Sequence, residues 1–188
     1  MACINRLDDG SGQASILRRI RSSEPIVLFQ DGPFITKALT AAPEAIGKKA
    51  TIVRVNDGFD QTAVLQKGTN GWTCGIEPDD GIPYCADANA LEWYKAIYTK
   101  GTPPDKTGIV YMMTGDTGAS NHDPYATDKS HWVVTGPHIM LVGNAARELA
   151  PMYPHTMDPD PTSPYVMYPD TPFQHVMIPV GVGMDHMK

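Results

Sequence analysis

The sequence predicts an α+β fold: one domain, a largely antiparallel sheet, few short helices and many loops rich in proline and glycine. Three observations carry this. Seventeen glycines and seventeen prolines among 188 residues break the chain too often for long helices. The apolar residues gather in short, often β-branched runs bounded by turn residues. One stretch, Asp87–Lys100, holds a helical period over several turns. At 41% hydrophobic and 19% charged, the chain can bury a real core and is not a solvated tail.

The elements follow in order. Residues 1–24 read as an N-terminal arm, residues 25–183 as the single domain and residues 184–188 as a tail. In the arm, Ser15–Arg21 fits a short helix with Ile16, Leu17 and Ile20 on one face. The domain opens with PIVLF, Pro25–Phe29, which fits a strand. Phe34–Ala42 has the spacing of a helix, and Pro43 ends it or starts a second turn. Ala50–Val55 alternates like a strand, Asn56–Gly58 signals a turn, and Thr62–Gly68 and Gly71–Cys74 are two further strands. Together these three predict a small antiparallel meander.

Asp87 caps the clearest helix, whose apolar side is Leu91, Tyr94, Ala96, Ile97 and Tyr98; Gly101, Pro103 and Pro104 stop it. Thr107–Gly115 is a strand, and a polar loop runs from Asp116 to Ser130. Strands follow in HWVV, PHIMLVG, PYVMY and HVMIPV. Between them lie a short helix, Asn144–Ala150, capped by Asn144, and a proline-rich connector, Pro151–Pro164.

Several functions are excluded. The net charge is −6, and the clustered basic residues Arg18, Arg19 and Arg21 are too few for a nucleic-acid footprint or an anionic membrane surface. No run of about 18 apolar residues predicts a membrane span. The N-terminus MACINRLDDGSGQAS has no apolar signal region, so the chain reads as cytoplasmic or as starting past a removed signal. No P-loop, G-x-G-x-x-G or H-E-x-x-H motif supports nucleotide binding or zincin chemistry. Of the three cysteines, Cys74 and Cys85 close a short loop. They can pair in an oxidising compartment and are two ordinary thiols in a reducing one.

The chemistry concentrates in a repeated His-x-Met. GPHIMLVG (Gly136–Gly143) and QHVMIPVG (Gln174–Gly181) each hold it inside an apolar run. Residues i and i+2 of a strand share a face. His138 and Met140 therefore point one way, as do His175 and Met177. The aliphatic faces opposite, Ile139 with Leu141 and Val176 with Ile178, are the expected core. Imidazole with thioether is a soft donor set that suits copper, above all copper(I). Methionines also fill irregular cores. Met112 or Met113, Met140, Met167 and Met177 on four strands look as much like an apolar pocket lining as a ligand cage. The second stretch is Thr114–Asp128, TGDTGASNHDPYATD. Asn121, His122 and Asp123 crowd a loop after a strand, where binding residues often sit. An Asx-turn locked by Asp-Pro is the structural alternative.

Taken in order, GTNGWTC with a second cysteine eleven on, YMMTGDTGASNHDPYA, GPHIMLVG and PYVMYPDTPFQHVMIPV resemble an uncharacterised bacterial protein family over roughly residues 36–180. The resemblance implies no activity. Its members are usually exported, which implies a Cys74–Cys85 disulfide. The matching positions are Trp72, Asn121, Asp123, His138, Met140, His175 and Met177.

Three functions are then expected. The first is a protein that binds a small molecule or metal ion, copper foremost, through His138, Met140, His175 and Met177, with the Asn121–Asp123 loop as a roof. The second is an enzyme on a small, partly apolar substrate, with His138 or His175 as general acid/base and Asp123 orienting it. The third is a structural or self-assembling exported domain.

Overall fold

A computed structural model describes residues 31–181. The helix expected at Ser15–Arg21 and the strand at Pro25–Phe29 lie outside these residues. In chain order the elements are α1 (Gly32–Leu39), α2 (Glu44–Gly47), β1 (Thr51–Val55), β2 (Gln61–Gln66), β3 (Thr73–Ile76), β4 (Pro83–Ala86), α3 (Ala88–Tyr98), β5 (Gly108–Met112), β6 (Ala119–Ser120), β7 (Trp132–Val133), β8 (His138–Val142), α4 (Asn144–Leu149), β9 (Tyr165–Met167) and β10 (His175–Pro179). The α+β class holds. Eight strands form one sheet in the order β2-β1-β3-β4-β5-β8-β10-β9, and β6 and β7 form a separate ribbon. No helix among the described residues is long and apolar enough to cross a membrane.

The expected meander is corrected at β3. β1 and β2 pair antiparallel, but β3 inserts on the far side of β1 and pairs with it in parallel, Ile52 opposite Cys74. Strand direction still alternates along the chain; what changes is the neighbour. Gly68 permits the crossing, because a side chain there would collide with the Ala50–Thr51 backbone. The next pair, β3 with β4, is antiparallel and sets Cys74 directly opposite Cys85. The two are joined in a disulfide, S–S 2.06 Å.

The helices cover the two faces of the sheet. On one, Ala38, Ala41 and Ala42 from α1 and its following turn meet Ile52, Cys74 and Cys85. On the other, α3 packs Ala90, Trp93, Tyr94 and Ala96 onto Val110, Met112, Met140, Val142 and Met177. Asp87 caps α3 as expected, its carboxylate accepting from Ala90 N at 2.8 Å, and it also accepts from Ile109 N of β5 at 3.0 Å. One carboxylate thus starts the helix and ties it to the strand beneath. Gly108 lets the two approach closely: a methyl there would meet Ala90 N at 2.5 Å.

Two expectations about helices change. Trp93, absent from the expected apolar side of α3, is among its most buried residues. Asn144 does not cap α4; Gly143 holds that place at φ 75°, and the Asn144 amide donates to Glu148 instead. A Cβ at Gly143 would strike the Lys106 carbonyl, so the left-handed turn and the crowding both require glycine.

Candidate functional site

The two His-x-Met strands are neighbours. β8 and β10 pair antiparallel with Met140 opposite Met177 and His138 opposite Pro179. On the outer flanks, β5 sets Met112 beside His138, and β9 sets Met167 beside His175. The four strands therefore carry an approximate two-fold pattern centred between Met140 and Met177. Each half supplies one histidine and two methionines.

Which face is the core is the reverse of the expectation. His138, Met140, His175 and Met177 are all buried, under α3. Ile139, Leu141 and Ile178 are only half-buried, although Val176 is fully buried. The physical reason is the cover. α3 brings two large aromatic side chains and excludes water, whereas the short α4 covers the opposite face only in part.

Both histidines are held alike. Nδ1 of His138 lies 2.7 Å from the Gly136 carbonyl, and Nδ1 of His175 lies 2.9 Å from the Phe173 carbonyl, in each case two residues back. A carbonyl only accepts, so Nδ1 carries the proton and Nε2 keeps the lone pair. Nε2 of His138 is buried and has no protein partner among the described residues. Burial holds His138 below the ordinary histidine range, against the Gly136 hydrogen bond and the nearby Asp116 carboxylate. Burial likewise pushes His175 down to about 4. Both rings are neutral imidazoles at pH 7.

A cavity of about 120 Å³ lies over this face. Its floor is Met112, Met140, Met167, Met177 and the two histidines. Its walls are Trp93, Tyr94 and Ile97 of α3 together with Tyr168, and its mouth is Glu77, Asp80, Asp116 and Gly118. The mouth was not foreseen. Glu77 and Asp80 come from the β3–β4 turn, and Asp116 from the turn after β5; the Thr117 hydroxyl donates to Asp80 at 3.2 Å and joins the two. Asp116 accepts from Gly118 N at 3.0 Å and Thr135 N at 2.9 Å. Burial pushes Glu77 up to about 8; Asp80, Asp79 and Asp116 add to this, while the Tyr94 hydroxyl opposes it. With Asp80 and Asp116 at the mouth and no lysine or arginine in the lining, the mouth favours cations over anions. The sequence did hold one signal, the EPDD run closing a strand.

The remaining expected residues fall elsewhere. Trp72 is half-buried on the opposite face, its ring 5.1 Å from that of Tyr111. The Asn121–Asp123 loop does not line the cavity, so it is not the roof; Tyr168, Gly118 and Ala119 take that place. Asn121 is fully buried and spends its amide on structure. Its Nδ2 donates to the Thr156 and Met157 carbonyls, and its Oδ1 accepts from Tyr168 N at 3.0 Å. Asp123 accepts from Tyr125 N at 2.9 Å, the Asx-turn of the structural alternative. It sits on a larger cavity of about 350 Å³ between Lys100, Pro124, Tyr125 and Phe173, so it cannot orient His138. His122 stands beside His131, ring centroids 5.8 Å apart.

Among the described residues, one set of His, Cys, Asp and Glu ligand atoms, from Glu77, Asp79 and Asp80, lies mutually within 4.8 Å. The four-residue offset between His138 and His175 separates their Cα atoms by about 13 Å at ~3.3 Å per residue. One ion held by both imidazoles would need both rings to lean together across the methionine pair.

Fold and site together define an α+β sheet protein with a histidine–methionine cavity behind a carboxylate mouth. Compared with known proteins, the chain matches no family model, and no curated protein or solved structure is significantly similar to it.

Proposed function

We propose that this protein binds a soft transition-metal ion, copper(I) foremost, in the cavity on the β8–β10 face. One observation carries this: two His-x-Met strands lie side by side with Met140 opposite Met177 and each imidazole tautomer fixed by its own carbonyl. Fixing Nδ1–H directs the Nε2 lone pair, as ligating histidines require. Thioethers and imidazoles select copper(I) over zinc, which favours cysteine, histidine and carboxylate. The ligand set is the Met140–Met177 pair with His138 or His175, and Met112 and Met167 are flanking donors. The carboxylate mouth favours entry of a cation.

Anaerobic titration of copper(I) against a chromogenic copper(I) chelator tests this. One equivalent should bind, and replacing Met140 and Met177 together by leucine should weaken it at least tenfold while the fold survives. Failure to take up copper, or uptake unchanged in the leucine variant, would sink the proposal.

A second function is favoured by Glu77. A carboxyl group protonated at neutral pH shares the cavity with the unpartnered Nε2 of His138. Two groups whose surroundings push their pKa values apart are an acid–base pair. In an enzyme on a small, partly apolar substrate, His138 is the base and Glu77 the acid. Any turnover found should be abolished in both His138→Gln and Glu77→Gln.

A further inference from the structure

Away from the cavity, the loop joining β6 to β7 gathers a second group of titratable side chains that the proposed function does not use. His122 and His131 lie with ring centroids 5.8 Å apart. Two imidazoles on one tetrahedral zinc, with Zn–N near 2 Å, put their ring centroids about 5 Å apart, so the spacing is close to that of a shared ion. Nδ1 of His122 is shielded from solvent and has no hydrogen-bond partner among the described residues. Nδ1 of His131 lies 2.9 Å from an oxygen of Asp158, which leaves the His131 Nε2 lone pair free. A carboxylate behind an imidazole in this way orients a ligating histidine.

Asp128 is the third group. Its Oδ1 accepts both from Ser130 N at 3.0 Å and from the Ser130 hydroxyl at 2.6 Å, and among the described residues its second oxygen takes no hydrogen bond. These bonds hold its carboxyl below the ordinary range, and His122 and His131 pull in the same direction. The neighbouring Lys129 lies over the Trp132 ring, 4.8 Å from its centroid.

We infer that His122, His131 and Asp128 form a binding site for a borderline divalent metal ion of the zinc class, with Asp158 positioning His131. Two imidazoles and one carboxylate are donors zinc prefers, and a fourth position is left for water. The two carboxylates, Asp128 and Asp158, balance the charge of the ion. The three ligand atoms do not yet stand mutually within 4.8 Å. Closing the set requires the exposed His131 and Asp128 side chains to turn toward His122. The bound ion would tie the loop across its two ends. This site is independent of the copper proposal and shares no residue with it.

The test uses the full chain, stripped of metal and titrated with zinc by calorimetry, then with cobalt(II) as a spectroscopic probe. One equivalent should bind, with the visible absorption of four-coordinate cobalt. His122→Gln and His131→Gln should each weaken binding at least tenfold, and Asp158→Asn by about tenfold. Circular dichroism of the variants checks that the fold is retained. No saturable zinc binding, or binding unchanged when both histidines are replaced together, overturns the inference. In the second case the zinc sits elsewhere, and the His138 and His175 variants locate it.

Discussion

Met140 of β8 lies directly opposite Met177 of β10, each buried beneath α3. Flexible thioethers in contact repack together, so their energetics are coupled. Truncating either to alanine should cost about 2–5 kcal/mol. The double alanine variant should cost less than the sum by at least about 0.5 kcal/mol. Urea unfolding of the four chains measures the cycle, and strict additivity would show that the pair does not interact.

His175 makes stability depend on pH on the acid side. Its folded pKa of about 4 lies below the ordinary 6.5, so between those values the unfolded chain binds a proton that the native chain refuses. Its contribution is full above about pH 6.5 and is lost as pH falls towards 4. Order-of-magnitude linkage gives about 3 kcal/mol. His175→Asn keeps a donor for the Phe173 carbonyl and removes the titration. Denaturation midpoints at pH 4.5 and 7 should therefore differ less in this variant than in the parent.

Glu77 acts on the alkaline side. Its folded pKa of about 8 lies above the ordinary 4.5, so its contribution is full below about pH 4.5 and is lost as pH rises through 8. Because the side chain is only half-buried, solvent trims the difference to something on the order of 2 kcal/mol. Glu77→Gln should stabilise the protein at pH 8 and change little at pH 4.5. Equal effects at both pH values would mean that the carboxyl does not titrate in this window.

Asn121 holds three backbone groups from a distant part of the chain. Asn121→Ala leaves two carbonyls and the Tyr168 N–H without this partner, a loss of about 2–4 kcal/mol. Tyr168 has a φ of 54° and lines the cavity, so the same change should loosen the cavity wall. Thermal unfolding and hydrogen exchange at Tyr168 give the two readouts, and unchanged exchange there would refute the link.

Reduction of Cys74–Cys85 should cost about 2–3 kcal/mol, because the loop it closes is short, with a separation of 11 residues. The residual fold should remain, since β3 and β4 stay paired at Thr73–Ala86, Gly75–Tyr84 and Ile76–Pro83, and β4 stays paired with β5. Unfolding with and without reductant measures the difference.

Much of this was legible from local pattern. Helical spacing and a capping Asp87 located α3, and β-branched runs located β1, β2 and β5. Period-2 alternation put His138 with Met140 and His175 with Met177, and the four strand methionines line one cavity. What local pattern could not give was long range. The side of β1 on which β3 would dock depends on a crossing at Gly68. Which face of β8 is core depends on what covers it, and Trp93 and Tyr94 arrive from a helix some forty residues earlier. Glu77 and Asp116 sit in separate turns, so their meeting at one mouth is a property of the sheet order alone.

The two margins of the sheet differ. β9, three residues long and fully buried, has its outer side partly occupied, since Val166 N donates to the Pro154 carbonyl. β2 is longer and largely open, with Val64 54% exposed, and among the described residues no strand lies outside it. Backbone groups on such a margin are a template for another chain. Among the described residues only the β2 margin is open along its length, so strand addition between copies on this sheet stops at a β2-to-β2 pair.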